Sequence, residues 1–324
     1  MTTKEKLIRL LEDNEGDFLS GNVIADKLGI TRAAVWKQIR QLENDGYRIE
    51  GIRNKGYRLA PLYDVISAES VSGFLKETKG VVKLEVHDSV GSTNTMLKEK
   101  AAELPDWYVI VAGNQTAGRG RAGRSFFSPE GTGIYLSLLL RPDIPVTDAG
   151  KLTTAAAVAA CRAIEECTDA KPLIKWVNDV FVDGKKVSGI LTEASVNFET
   201  GEADWIVTGI GLNVYEPEGG FPKELSEIAG SIVKEKQKNL RSRLAASFIE
   251  HFYRISKDLS GNTLLKEYKE RCFLIGKEID VLRGEEMIPA TALDLTGNYG
   301  LLVSYKDGRT EVLSAGEVRV RPVR

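Results

Sequence analysis

The residues best suited to chemistry lie in the segment Gly113–Leu140, GNQTAGRGRAGRSFFSPEGTGIYLSLLL. Its first twelve residues place three arginines, Arg119, Arg121 and Arg124, among four glycines, and a strongly apolar run follows. Arginine stays protonated and binds carboxylate or phosphate through paired hydrogen bonds, while glycine lets backbone N–H groups approach a ligand. We therefore predict an anion-binding loop that becomes ordered over its ligand. The alternative is a surface loop whose arginines are solvated.

Four shorter segments could complete a pocket around this loop, and each has a structural alternative. They are GSTN (Gly91–Asn94), KWVND (Lys175–Asp179), KKVSGIL (Lys185–Leu191) and GIGLN (Gly209–Asn213). The hydroxyl groups of GSTN could simply cap a helix, and the Asn-Asp pair of KWVND could form a turn. Lys186 could extend from a sheet edge into solvent. The prediction of a polar binding site depends on the joint presence of these segments.

The composition argues against several other kinds of site. The chain has two histidines, His87 and His251, and three cysteines without paired spacing. These numbers disfavour a zinc site, a disulfide framework and a nucleophile–base triad. The glycine-rich segment also lacks the features of a dinucleotide fingerprint or a P-loop. The sequence shows neither a signal-peptide pattern nor an apolar run of membrane-spanning length, so we predict a cytoplasmic protein without a membrane partner.

The first sixty residues predict a helix-turn-helix followed by a β-hairpin. Residues 4–11 have helical periodicity, Ser20 is expected to cap a second helix, and Thr31 is expected to cap a third. The apolar stripe of the second helix is expected to include Val23. A turn at residues 54–56 predicts the hairpin, which completes the outline of a winged helix-turn-helix.

The charge of this region differs from that of the whole chain. Between Lys27 and Arg58 there are eight basic and three acidic side chains, whereas the formal net charge of the protein is -2. Small and basic residues on one helix face suit the major groove of DNA, where phosphates are neutralised and base edges are approached closely. The predicted DNA contacts are Thr31, Arg32, Ala33, Trp36, Lys37, Arg40, Arg53 and Lys55. The alternative is a solvated basic face on an interaction domain.

The remainder of the chain predicts an α+β multidomain protein. Hairpin signals such as Asp183-Gly184 alternate with helical segments, which favours a mixed, largely antiparallel central sheet with helices over a doubly wound parallel sheet. The last fifty residues read as strands and turns and predict a small β-barrel. We place the domains at residues 1–65, 66–272 and 273–324.

In their order and spacing, GSTN, GRGRAGR, KWVND, KVSGIL and GIGLN resemble the motifs of biotin–protein ligases. Together with the N-terminal winged helix-turn-helix, the whole chain resembles the bifunctional bacterial type, which also represses biotin-synthesis genes. The resemblance implies a class II synthetase-like ligase domain and an SH3-like C-terminal barrel. One departure is visible, because the family usually has proline where Val177 stands, and this puts the rigidity of the turn before Asn178 in doubt.

The resemblance implies a two-step reaction with biotin, ATP and Mg²⁺. The biotin carboxylate attacks the α-phosphate of ATP and gives biotinyl-5′-adenylate and pyrophosphate. A lysine of the biotin carboxyl carrier domain of acetyl-CoA carboxylase, or of another biotin-dependent carboxylase, then attacks the mixed anhydride. Since this nucleophile belongs to the partner, the enzyme needs no triad, and catalysis consists of positioning and charge stabilisation.

The resemblance also assigns roles to individual residues. The biotin-binding set is Ser92, Thr93, Asn94, Gln115, Arg119, Gly120, Arg121, Lys186 and Gly189. The set for ATP and the adenylate is Arg121, Arg124, Phe126, Asn178, Lys186 and Asn213. The catalytic set is Arg119, Arg121, Lys186 and Asp179, and Asp179 is also expected to contact Mg²⁺ or the ribose.

The resemblance also implies a form of regulation that couples biotin ligation to repression. Biotinyl-5′-adenylate would order the arginine loop and promote a homodimer, which presents two basic helices to operator DNA. Two alternatives share part of the evidence in the sequence. A lipoate–protein ligase would use the same adenylation chemistry, and a catalytically silent sensor would bind biotin and DNA without needing to neutralise a phosphate.

Overall fold

The computed structural model describes residues 2–14, 16–45, 47–60, 64–141, 144–145, 148–196, 199–259, 261–284, 286–314 and 317–320. Its internal contacts divide the chain into two compact units. The first contains residues 1–74 and 235–243, and the second contains residues 75–234 and 244–324. The C-terminal strands therefore belong to the same compact unit as the central sheet, and the three domain boundaries given above stay a prediction.

Three helices of the first unit begin at hydroxyl caps. They are α1 (Thr3–Asp13), α2 (Gly21–Leu28) and α3 (Arg32–Asn44). The side chain of Thr2 accepts a hydrogen bond from the N–H of Glu5, that of Ser20 from Val23 and that of Thr31 from Ala34. Such bonds satisfy backbone donors that a helix start leaves unpaired. The predicted caps at Ser20 and Thr31 are confirmed.

The core of this unit follows the helical spacing, with one exception. Leu7, Ile24, Val35 and Leu42 are completely buried, but Val23 is 41% exposed, so its predicted place in the buried stripe is wrong. Adjacent residues of a helix point about 100° apart, and in the short helix α2 the position after Val23 takes the core.

The predicted wing is also present. Strands β1 (Ile49–Ile52) and β2 (Gly56–Leu59) pair antiparallel, and the turn between them includes Asn54 in a left-handed conformation. A short helix, α4 (Ala68–Phe74), follows. None of the helices within the described residues is long and apolar enough to cross a membrane.

A seven-stranded sheet forms the centre of the second unit. Its strands are β3 (Lys83–His87), β4 (Tyr108–Ala112), β5 (Gly133–Leu140), β6 (Leu173–Lys175), β7 (Asp179–Val182), β8 (Lys185–Val196) and β9 (Ala203–Asn213). The spatial order is β3-β4-β5-β9-β8-β7-β6, and only the β3/β4 pair is parallel. The largely antiparallel sheet is therefore confirmed, as is the hairpin turn at Asp183-Gly184, where both residues have positive φ.

Helices pack on both faces of this sheet, and two more follow β9 in the chain. They are α5 (Thr93–Lys100), α6 (Ala149–Cys167), α7 (Leu240–Ser256) and α8 (Asn262–Arg271). Asn94 of α5 donates a hydrogen bond to the side chain of Glu193 of β8, whereas Thr153 of α6 donates one to the side chain of the adjacent Thr192. Since successive residues of a strand point to opposite faces, α5 and α6 lie on opposite sides of the sheet.

The C-terminal strands form a separate five-stranded antiparallel sheet. They are β10 (Glu278–Arg283), β11 (Glu286–Leu295), β12 (Leu301–Tyr305), β13 (Thr310–Leu313) and β14 (Glu317–Val320), in the order β13-β12-β11-β10-β14. Turns at Gly297-Asn298 and Asp307-Gly308 separate β11 from β12 and β12 from β13, so the prediction of strands and turns in this region is confirmed. Closure of this sheet into a barrel stays a prediction.

Candidate active site

A cavity of about 980 Å³ opens on the α5 face of the central sheet. Of the predicted residues, it is lined by Ser92, Thr93, Asn94, Gln115, Arg119, Gly120, Arg121, Arg124, Phe126, Asn178, Asp179, Lys186 and Gly189. Asn213 is not among the lining residues and ends strand β9 instead. Segments that are far apart in the sequence thus meet at one concave surface, with the single exception of Asn213.

Two glycines of β9 provide the floor of this cavity. Gly209 and Gly211 are two residues apart and share a face of the sheet. Gly209 lies in register between Ser137 of β5 and Leu191 of β8, and Gly211 lies between Tyr135 and Gly189. Two rows of neighbouring residues across the sheet, Ser137–Gly209–Leu191 and Tyr135–Gly211–Gly189, therefore each have a residue without a side chain at their centre.

The first row holds Asn94. A Cβ atom on Gly209 would lie 1.9 Å from Asn94 Oδ1, so only glycine allows this approach. Asn94 Nδ2 donates to the carbonyl of Leu191 at 3.1 Å and to Glu193 Oε2 at 2.9 Å. Its Oδ1 accepts from Ser137 Oγ at 2.6 Å. Asn94 is 4% exposed and is held on three sides.

A second chain of hydrogen bonds fixes Gln115 beside Asn94. Gln115 Oε1 accepts from the backbone N–H of Thr93 at 2.9 Å and from Thr93 Oγ1 at 3.2 Å. Gln115 Nε2 donates to Ser128 Oγ at 3.0 Å. Ser92 is the N-cap of α5 and accepts a bond from the N–H of Thr95. The capping alternative for GSTN is therefore correct for Ser92, and it is compatible with a place in the cavity wall.

The second row holds the ring of Phe126. A Cβ atom on Gly211 would lie 2.3 Å from one ring carbon of Phe126, and a Cβ atom on Gly189 would lie 3.2 Å from another. The ring also meets Tyr135 at a centroid distance of 6.5 Å. GIGLN and KVSGIL thus act together, because their glycines leave room for one aromatic side chain on the sheet.

The arginine loop folds back on itself before it reaches Phe126. The N–H of Gly120 donates to the carbonyl of Arg124 at 2.7 Å, and a 3₁₀ turn with Ala122 in a left-handed conformation lies between them. Arg119 and Arg124 are exposed, whereas Arg121 is half-buried. Arg121 Nη1 donates to Asn178 Oδ1 at 3.1 Å, so the loop is connected to KWVND by a side-chain hydrogen bond.

KWVND and KKVSGIL bring the second cation to the same wall. Lys186 Nζ lies 2.6 Å from Asp179 Oδ1. Asn178 Nδ2 donates to the carbonyl of Ile190 at 2.8 Å, which fixes the Asn-Asp turn against β8. The turn is also anchored from behind, because Tyr268 donates to the carbonyl of Val177 and Trp176 Nε1 donates to that of Tyr299, both at 2.9 Å. The Trp176–Val177 peptide bond is cis.

Several residues around the cavity were not found from the sequence. Ser137 and Glu193 form hydrogen bonds with Asn94, Lys98 pairs with Glu193, and Trp176 and Phe181 line the cavity directly. One signal was available, since Ser137 is the only polar residue in the otherwise apolar run of β5. Glu193 gave no such signal.

Glu193 has a distinctive electrostatic environment. Burial raises its pKa, but hydrogen bonds from Lys98 and Asn94, together with the positive charges of Lys98 and Arg119, outweigh burial and hold the pKa below its ordinary value. Lys98 Nζ lies 2.6 Å from Glu193 Oε1. The carboxyl group is therefore ionised at neutral pH.

The predicted DNA-binding residues form an exposed surface in the first unit. All eight are exposed, six from Thr31 to Arg40 at the start and along α3 and two, Arg53 and Lys55, in the turn of the wing. Trp36 is 56% exposed, and the Arg40 guanidinium lies 5.4 Å from its ring centroid. Basic and aromatic groups are thus available to a ligand on this face.

Comparisons with known proteins account for both parts of the chain. The biotin/lipoate A/B protein ligase family matches residues 86–213, and an HTH domain matches residues 3–58. The bifunctional ligase/repressor BirA of Bacillus subtilis (strain 168) is 41% identical over 232 residues, which make up 71% of this chain and 71% of that protein. BirA of Escherichia coli (strain K12) is 34% identical over 66% of this chain and 64% of its own. A biotin protein ligase from Aquifex aeolicus, solved in complex with biotin and ATP, aligns with a TM-score of 0.62 and 27% identity over 74% of this chain and 99% of that chain.

The chain belongs to the biotin/lipoate A/B protein ligase family. More narrowly, its similarity to relatives that unite a ligase with a helix-turn-helix confirms the prediction of a bifunctional biotin ligase and repressor. A lipoate ligase and a catalytically silent sensor are not favoured by these matches.

Proposed function

We propose that this cavity joins biotin to AMP and then passes biotin to a lysine of a biotin carboxyl carrier domain. The observation that carries the proposal is the convergence of Lys186 and Arg121 on one wall of a cavity whose other end is lined by buried, hydrogen-bonded polar side chains. Two cations are what a carboxylate and a phosphate need when they are brought into contact.

In the first step, a carboxylate oxygen of biotin bonds to the α-phosphorus of ATP, and pyrophosphate leaves with the electrons of the broken P–O bond. Negative charge accumulates on the phosphorus oxygens in the transition state, where preorganised cations have the largest effect on rate. Lys186 and Arg121 neutralise that charge, and Arg119 contributes from the loop. Before substrates bind, Asp179 and Asn178 hold Lys186 and Arg121 near these positions.

The residues present fit one Mg²⁺ ion bound with ATP. Mg²⁺ commonly uses one or two carboxylates together with waters and substrate phosphates, and the Asp179 carboxylate lies in the cavity wall. Within the described residues, no three metal-binding side chains cluster together, so Asp179 would be one protein ligand among phosphate and water oxygens. The ion would supply further positive charge at the phosphates.

In the second step, the amine of an acceptor lysine attacks the carbonyl carbon of the adenylate, and AMP leaves. The acceptor belongs to the carrier domain of acetyl-CoA carboxylase or of another biotin-dependent carboxylase. Phe126 would contact the adenine, and Arg124 would contact the phosphate. These roles rest on the family resemblance and on the placement of both residues in the cavity wall.

The adenylate-bound protein is also proposed to dimerise and to bind operator DNA through α3 and the wing, which implies a cytoplasmic location. Two copies of the basic helix would contact two half-sites. Salt should weaken this binding steeply, because each phosphate contact releases counterions.

The decisive experiment is exchange of labelled pyrophosphate into ATP, with biotin added and with lipoate as the control. We expect exchange with biotin alone. Exchange with lipoate alone would move the activity to the sister group of the family. Binding of biotin without exchange would contradict the adenylation step.

A second experiment tests the repressor function separately. Operator binding is titrated against salt, with and without biotin plus ATP. We expect the substrates to increase the affinity for the operator. If the affinity for the operator is the same with and without biotin plus ATP, the coupling between ligase and repressor is contradicted.

A further inference from the structure

The amide of Asn94 has one allowed orientation in the cavity wall. In the observed orientation, both N–H groups of Nδ2 have acceptors, the carbonyl of Leu191 and Glu193 Oε2, and Oδ1 accepts from Ser137. The opposite orientation would place Oδ1 against two acceptors and leave Nδ2 facing a hydroxyl group. A buried carbonyl oxygen that faces two other acceptors loses its hydrogen bonds and is destabilised.

Glu193 disfavours the opposite orientation of the Asn94 amide. A protonated carboxyl group could donate a hydrogen bond to a rotated Asn94, but an ionised one can only accept. Lys98 binds the other carboxylate oxygen, and the pKa of Glu193 lies below its ordinary value for the reasons given above. The carboxylate is therefore held in its accepting form across the neutral pH range.

The positions of these residues follow from the two elements that carry them. Asn94 and Lys98 are four residues apart on α5 and so share a helix face. Leu191 and Glu193 are two residues apart on β8 and so share a sheet face. Glu193 itself is not among the residues that line the cavity, so an effect of Glu193 on a ligand would have to pass through Asn94.

The consequence is a cavity end with a defined hydrogen-bond polarity. Asn94 Oδ1 lies over Gly209, which lines the cavity. Among the described residues, Ser137 donates a hydrogen bond to this oxygen, and an amide oxygen has a second lone pair that could accept from an N–H group of a ligand. An acid whose ring carries N–H groups can satisfy it, whereas a dithiolane ring has no donor to offer.

We propose that Glu193, held by Lys98, is a positioning residue that fixes Asn94 as an acceptor and thereby selects an acid with ring N–H donors over one with a dithiolane ring. The inference rests on the proposed function, since it takes this end of the cavity as the biotin end. A site that is built to hydrogen-bond a substrate rejects an analogue that lacks the matching group, because its own polar atoms are then left unpaired.

The test compares binding affinities in the full-length protein by calorimetry, without turnover. The ligands are biotin, desthiobiotin, which keeps both urea N–H groups, lipoate and ATP. The main variant is Glu193→Leu. We expect the affinities for biotin and desthiobiotin to fall together by about tenfold or more, while those for lipoate and ATP stay as in the wild type. The preference for biotin over lipoate should therefore fall by the same factor.

Two further variants separate positioning from general stability. Glu193→Gln has one acceptor oxygen for two donors, Asn94 and Lys98, and its NH2 group can donate to a rotated Asn94, so it should recover only part of the affinity for biotin. Lys98→Met removes the ion pair but leaves the Glu193–Asn94 bond, and should cause a smaller loss than Glu193→Leu. Asp294→Asn is the matched control, because Asp294 forms an ion pair with Lys269 at 2.9 Å outside the cavity wall.

Two results would overturn the inference. One is an unchanged affinity for biotin in a folded Glu193→Leu protein. The other is a parallel loss for biotin, lipoate and ATP, which Glu193→Gln fails to recover. Because binding is measured without catalysis, a failure of biotin-dependent exchange in the wild type would refute the proposed function through a different measurement.

Discussion

The two ends of the cavity hold their polar side chains in different ways. At the Asn94 end, Thr93 and Asn94 are 3% and 4% exposed and have several hydrogen-bond partners each. At the Lys186 end, the lysine side chain is 28% exposed and is paired with Asp179. The first end is held in place by hydrogen bonds among its own residues, because buried polar groups need partners. The second keeps its cations accessible to charge that develops during the reaction.

The largest effect is expected at the accessible end. Lys186→Met should lower kcat of biotin-dependent pyrophosphate exchange by about 10²–10³, as removal of one stabilising donor does in other enzymes. It should lower biotin affinity by a much smaller factor, since Lys186 also belongs to the biotin-binding set. Exchange kinetics and calorimetry on the same preparation measure both quantities. Lys186→Arg keeps the charge and should retain part of the activity. An equal loss of biotin affinity in Lys186→Met would show that the two ends do not differ as described.

The second-largest effect is expected at the Asn94 end of the cavity. Gly209→Ala places a methyl group on the position of Asn94 Oδ1, so Asn94 must leave its partners, and biotin affinity should fall by about a hundredfold. Gly150→Ala is the control, because a Cβ atom there meets nothing within 4 Å. Calorimetric titration with biotin distinguishes the variants. Wild-type affinity in Gly209→Ala would refute the assigned role of the glycine floor.

A smaller effect concerns the loop between the two ends. Arg121→Gly removes the bond to Asn178 and one cation, so the protein should fold normally but release the adenylate about tenfold faster. The lifetime of adenylate made from radiolabelled ATP, followed after rapid filtration, measures the release. An adenylate that is retained as long as in the wild type would contradict the role of Arg121.

The smallest effect is expected in the pH dependence of biotin affinity, which tests the Asn94 end of the cavity. Since the pKa of Glu193 is lowered in the folded protein, its ionised form is the one that supports Asn94, and that support is lost only as the pH falls through the lowered value. Biotin affinity should therefore not change through Glu193 between pH 7.5 and 5.5, and should decline only below the ordinary glutamate value of 4.5. Calorimetry across this range, with Glu193→Gln as reference, checks the direction. A decline that starts above pH 5.5 in the wild type alone would contradict it.

The sequence was most informative where interactions are local. The caps at Ser20 and Thr31 and the turn at Asp183-Gly184 are formed by neighbouring residues, so their patterns could be recognised directly. Val23 was misplaced because a short helix leaves its rotation ambiguous by one residue, and only packing decides it.

The site was predictable as a set of motifs but not as a geometry. Glu193 binds Asn94 across 99 residues of sequence, and the glycine rows exist only once β5, β8 and β9 are paired in register. Nothing in the sequence near Glu193 indicates which helix it will meet. Long-range strand pairing therefore determines the supporting residues, while the lining residues are visible as motifs.

The wing of the first unit is attached more firmly than its short strands imply. Leu19 and Tyr57 exchange two backbone hydrogen bonds of 2.9 and 2.8 Å, and Gly56 has a φ of 115° with its Cβ position only 1.9 Å from the carbonyl oxygen of Leu19. The wing is thereby attached through its backbone to the segment before α2, which leads into α3. If the wing and α3 keep a fixed distance, this DNA-binding surface cannot adjust to every duplex. Operators whose groove width and bendability match that distance would then be bound with less distortion of the DNA. The wing would then contribute to the choice of operator through the shape of the DNA.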